Sequence, residues 1–146
     1  MAGRQTNQFF HTHERKPVRL YAIAVGAGAG ADMTMQYWNP STQALATAPA
    51  GGAKGIKSVA YNAATGKYKI NLQDTYQRLL GFSITAQAVD GSTAPTTPTG
   101  YIESITPGGA TPNVAIVVTN AAGTATAPTT NCRFYFTLDL SDSNTP

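Results

Sequence analysis

Two histidines and a carboxylate stand together near the start of the chain: His11, His13 and Glu14. On an extended segment His11 and His13 would point the same way. Zinc needs further ligands at matching geometry, and Cys132 and the scattered acids show no ligand spacing. No metal site is expected. Nucleophilic catalysis requires a Ser, Cys or Thr beside a positioned base. The two histidines of this chain both lie in that aperiodic N-terminal segment, and no Gly-x-Ser-x-Gly elbow occurs. A carboxylate pair for glycoside hydrolysis would have to come from Asp90, Glu103, Asp139 or Asp142. Glu103 and Asp139 fall on predicted strands, where a facing pair is geometrically possible and where solvent-facing positions account for both. The glycines Gly26, Gly28 and Gly30 follow an apolar strand. They lack the dinucleotide fingerprint spacing, and no amphipathic helix follows them. No catalytic residue and no cofactor is expected.

The elements that would position these groups are strands. Residues 17–25 (PVRLYAIAV) are β-rich and apolar, and GAGAGA interrupts them at residues 26–31. Residues 32–40 set Met33, Met35 and Tyr37 against Thr34, Gln36 and Trp38, the period of two of a strand. A small-residue loop follows, with a short strand at 43–47. The block 55–82 then carries strands at 56–61 and 67–72, joined by NAATG, whose Asn and Gly suit a short hairpin loop. Asp74 is placed to cap one helical turn over 75–80, packing Tyr76 against Leu79 and Leu80, with Gly81 as its left-handed stop. Further strands are predicted at 82–89, 101–106, 114–120 and 132–140. The β-branched run at 114–120 predicts a strand buried on both faces or central in a sandwich. In the last strand Cys132, Phe134, Phe136, Leu138 and Leu140 share one face. Trp38, Tyr37, Tyr21, Tyr61 and Tyr68 could line a carbohydrate or protein surface, but are expected chiefly as core and strand-pair residues.

The expected fold is all-β: a single-domain antiparallel β-sandwich, jelly roll or barrel-like fold of about eight strands. It adds one short helical turn and an extended N-terminal arm. The arm spans residues 1–16 and the β domain residues 17–146 of this 146-residue chain. The arm's only large apolar residues, Phe9 and Phe10, stand near Arg15 and Lys16. Exposed aromatics on a solvated tail are a liability. These four residues, Phe9, Phe10, Arg15 and Lys16, are therefore the expected contact with a partner or a neighbouring subunit.

Charged residues make up 12% of the chain, against about a quarter in ordinary soluble domains. Such a weakly charged surface favours association. The net charge of +3 gathers in the first half, but no aromatic and basic stacking platform accompanies it, so direct nucleic-acid binding is not expected. Cys132, the single cysteine, excludes an intrachain disulfide. The first residues lack the apolar run of a signal peptide, and no stretch has a membrane helix's 18 or so apolar residues. A cytoplasmic origin and no membrane partner are expected.

The runs Gly55-Ile-Lys-Ser-Val-Ala-Tyr61, Thr65-Gly-Lys-Tyr-Lys-Ile-Asn-Leu72 and Asp74-x-Tyr76-x-x-Leu79-Leu80 together resemble a pattern in capsid decoration, or cement, proteins of tailed bacteriophages. The similarity covers residues 55–85 well. Residues 132–146, from the Arg133-Phe-Tyr-Phe-Thr-Leu-Asp-Leu140 run into a polar tail, match loosely. The resemblance implies a structural virion protein made in the host bacterial cytoplasm and bound to the outer capsid surface. Its implied partners are the major capsid protein and itself, as a homodimer or homotrimer. Two alternatives stand beside it. One is a head-fibre, tail or adhesin module binding a host ligand through the Thr-rich loops 90–100 and 121–131. The other is a small β-fold enzyme.

Overall fold

The computed structural model describes residues 17–28, 30–49, 55–65, 67–89, 99–119, 125 and 132–142. The arm, with its expected contacts Phe9, Phe10, Arg15 and Lys16, lies outside the described residues, as do most of the two Thr-rich loops. The strands are β1 (Pro17–Val25), β2 (Thr34–Asn39), β3 (Ala44–Thr47), β4 (Ile56–Asn62), β5 (Lys67–Leu72), β6 (Tyr76–Ala88), β7 (Thr99–Thr106), β8 (Asn113–Thr119) and β9 (Cys132–Asp142). They form two antiparallel sheets, β3-β2-β1-β9-β6 and β4-β5-β8-β7, an all-β sandwich.

Side-chain period explains the layering. Along β9, Cys132, Phe134, Phe136, Leu138 and Leu140 all point into the core and are buried. The neighbouring strand β1 of the same sheet supplies small residues where β9 is large: Ala22 pairs with Phe136 and Ala24 with Phe134. Phe134 and Phe136 stack with ring centroids 6.0 Å apart, and Phe82 joins Phe136 at 6.5 Å. The second sheet contributes Val59, Tyr68, Ile70, Val114 and Ile116. Burying each such side chain is worth roughly 1.5–3 kcal/mol of transfer free energy. β8 lies between β5 and β7, and its residues from Val114 to Thr119 are buried in unbroken succession, as its β-branched run predicts.

The two sheets meet along one side. Met33 N–H donates to Val59 O at 3.0 Å, and Tyr61 N–H donates to Asp32 Oδ1 at 2.7 Å. These bonds tie the approach to β2 onto β4. The β4–β5 hairpin turns where expected: Ala64 N–H donates to Asn62 Oδ1 and Thr65 N–H to Asn62 O, both at 3.1 Å.

The helical turn expected over 75–80 is not formed. Those residues belong to β6, which pairs with β9 over its whole length. Two register shifts, between Tyr76 and Arg78 and between Leu79 and Gly81, explain the misreading. Each β-bulge inserts one residue and so shifts the inward phase by one. Tyr76, Leu79 and Phe82 therefore all turn toward the core at spacings of three, which imitates a helix. Beyond the bulges the period returns to two, at Ile84 and Ala86. Gly81 is a strand residue opposite Asp139 rather than a left-handed stop, and Asp74 caps no helix.

Candidate functional site

The outward face of the five-stranded sheet is the richest surface among the described residues. Because Leu20, Ala22 and Ala24 point inward, Arg19, Tyr21, Ile23 and Val25 of β1 point out. From β9 come Arg133, Tyr135, Thr137 and Asp139, and from β2 Gln36 and Trp38. Tyr21 is 63% exposed and Trp38 60%. The β1–β2 register places Ile23 opposite Gln36. The pairing ends there, and Tyr21 and Trp38 lie beyond it on their own strands, each on the outward side. Tyr and Trp are enriched at protein interfaces, which makes this face the candidate site.

Polar groups rigidify the face around them. Arg19 donates from Nε to Asp139 Oδ1 at 2.5 Å and from Nη2 to Asp139 Oδ2 at 3.0 Å. These hydrogen bonds hold the Asp139 carboxyl below its ordinary range and raise the Arg19 guanidinium. Exposed pairs of this kind contribute little to stability, but a bidentate fork orients both side chains. Farther along, Arg133 lies flat and buried on the face and donates from Nε to Gln36 Oε1 at 3.1 Å. Tyr135 Oη donates to Gln87 Oε1 at 2.7 Å. These bonds connect β2 to β9 and β9 to β6.

The structure separates the two carboxylates considered as a hydrolytic pair. Asp139 sits in the five-stranded sheet with Arg19, whereas Glu103 sits on β7 of the other sheet and pairs with Lys67. His11, His13 and Glu14 lie outside the described residues. Among the described residues no three His, Cys, Asp or Glu side chains gather as metal ligands. Cys132 is buried, as expected, and burial pushes its thiol up to about 11, away from the reactive thiolate. Among the described residues no helix is long and apolar enough to cross a membrane.

The aromatic expectations divide. Tyr68 is core, and it packs edge-on against half-buried Tyr61 at 5.3 Å. Tyr21, Tyr37 and Trp38 are exposed instead of buried. In β1 the alternation is legible, but it sets Ala against Tyr. Hydrophobicity alone would put the larger residue inside, whereas the bulk of Phe134 and Phe136 leaves room only for Ala. The signal that could have found the face is that complementarity between β1 and β9.

No protein-family model, curated protein or solved structure matches the chain.

Proposed function

We propose that the protein is a structural component of a tailed-bacteriophage virion, a decoration protein that binds the outer surface of the assembled head and cements neighbouring major capsid protein subunits. The observation that carries this reading is the open aromatic face, with Tyr21 and Trp38 exposed on a rigid sheet. Tyr and Trp are the residues that dominate binding energy at protein interfaces. The low charge of the chain suits close packing among many copies. The motif residues that resemble decoration proteins lie on β4, β5 and the bulged start of β6, where Ile56, Tyr68, Leu72 and Tyr76 are buried. In this reading they hold the scaffold and leave binding to other surfaces.

The mechanism is mechanical. A packaged genome pushes the shell outward, and a bridging protein adds contact area that must be lost before subunits part. A standard interface buries about 1,600 Å², of which only part survives as affinity. Repetition over many sites multiplies the effect.

The test is co-sedimentation of the purified protein with heads that lack it. Saturable binding is expected, with Trp38→Ser and Tyr21→Ser each weakening it about tenfold or more while the thermal transition stays in place. Binding to host cells but not to heads would favour the adhesin alternative. No pelleting with heads, or full binding by the combined Trp38→Ser/Tyr21→Ser variant, would overturn the proposal.

A further inference from the structure

Among the described residues, β1 is paired on one side only for more than half its length. It pairs with β9 throughout, from Pro17 opposite Ser141 to Val25 opposite Arg133. Its pairing with β2 covers only Ile23, Ala24 and Val25. The hydrogen-bond phase decides what the open half presents. Gly26 N–H donates to Cys132 O at 2.9 Å. With the unbroken β1–β9 register, this assigns the even-numbered residues of β1 to β9 and the odd-numbered ones to the other side. Arg19 and Tyr21 therefore each present N–H and C=O to the open edge, and Pro17 presents a C=O. No described residue bonds these groups.

Beside that edge runs a groove of about 590 Å³, lined by Val18, Leu20, Gly55, Asp74 and Tyr76 among others. Asp74 makes no ion pair among the described residues. A row of backbone donors and acceptors that no described residue pairs, alongside a groove, is the geometry of strand addition.

We propose that this edge receives an extended strand from the N-terminal arm of a second copy of the chain, contributed from residues 5–13. The arm's composition suits the role. Thr6, Phe9, Phe10 and Thr12 are β-formers, and a period of two sends Phe9 and His11 to one face and Phe10 and Thr12 to the other. The arm carries Arg4, Arg15 and Lys16 against Glu14 alone, a net positive charge that complements Asp74. The sequence disfavours a return of the chain's own arm along β1. That path needs a tight hairpin just before Pro17, and residues 11–16, HTHERK, contain no Gly, Asn or Asp to supply positive φ. A 16-residue arm can span roughly 50 Å when extended, enough to reach a neighbour. Reciprocal exchange across a two-fold axis closes a dimer. The inference does not rest on shell binding, because its test uses the purified protein alone.

The experiment is amide hydrogen exchange on the full-length protein, with molar mass measured at the same series of concentrations. Slow exchange at Arg19 and Tyr21 is expected in the oligomer, lost in step with dissociation on dilution. The full-length Phe9→Ser/Phe10→Ser variant should weaken assembly about tenfold or more. Tyr21→Pro should do the same, since its N–H faces the open edge and serves no bond to β9. If that variant does not fold, the arm variant still decides. A monomer at every concentration, an oligomer with freely exchanging Tyr21, or assembly indifferent to the arm variant overturns the proposal. Protection that persists in a monomer assigns the edge to the chain's own arm and overturns it too.

Discussion

Gly55 faces Leu20 so closely that a Cβ added to Gly55 would lie 2.4 Å from Leu20 Cδ2. The contact joins the entry of β4 to the middle of β1 and forms one wall of the groove. Gly55 also has φ at +87°, in the left-handed region, and its N–H donates to Gln73 Oε1 at 2.8 Å. Backbone conformation and side-chain clearance therefore both select glycine here.

Gly55→Ala should accordingly destabilise the fold by about 2–4 kcal/mol, the sum of a left-handed penalty and overpacking against a buried Leu. Denaturant unfolding checks this. In a double-mutant cycle, Gly55→Ala should cost less in a Leu20→Ala background than in the parent, by the part due to the clash and none of that due to φ. A single variant as stable as the parent would show that the contact is not tight.

Tyr68 is buried, and its hydroxyl has no hydrogen-bond partner among the described residues. An unsatisfied buried hydroxyl costs free energy that its removal returns. Tyr68→Phe should therefore stabilise the protein by about 1 kcal/mol, read as a higher midpoint in urea at unchanged slope. Destabilisation by the substitution would reveal a partner for the hydroxyl.

The same group makes stability pH-dependent. Burial first, then Tyr61 and Asp32, push the Tyr68 phenol up to about 12. The raised folded value means that its contribution is fully present below the unfolded tyrosine pKa, near ~10, and is lost as pH rises from there through the folded value. Cys132, raised to about 11 by burial, acts in the same direction from a lower starting point. Stability should fall steeply between about pH 9 and pH 12, and less steeply in Tyr68→Phe. Identical slopes in the two proteins would exclude Tyr68 as the source.

At the acid end the relevant group is Asp139. Its hydrogen bonds from Arg19 lower its folded pKa, so the pair's contribution is present above the unfolded aspartate value and is lost as pH falls through the folded one. Carboxyl NMR titration should find Asp139 below the ordinary aspartate range, and Arg19→Gln should bring it back. The accompanying change in stability should be small, because the pair is exposed. An ordinary Asp139 pKa in the parent protein would mean that the fork is not populated in solution.

The strands, their number to within one and the inward face of β9 were legible in the chain, because burial imposes a period of two that residues such as Phe134, Phe136 and Leu138 keep without interruption. The central place of β8 was legible for a related reason: only a strand shielded on both sides can be apolar at consecutive positions. The start of β6 was not legible, because its two bulges are defined by pairing with β9, a strand more than fifty residues away. Local spacing there gives the opposite answer. The candidate face was hidden for the same reason. That Tyr21 points outward while Ala22 points inward depends on how much volume Phe136 already fills, and the edge of β1 before Ile23 lacks a partner among the described residues because the pairing with β2 ends there. Sequence thus determined which segments are strands and which residues could fill a core. Tertiary structure alone decided which side of β1 and of the start of β6 faces water, because that depends on the shape and register of partners distant along the chain.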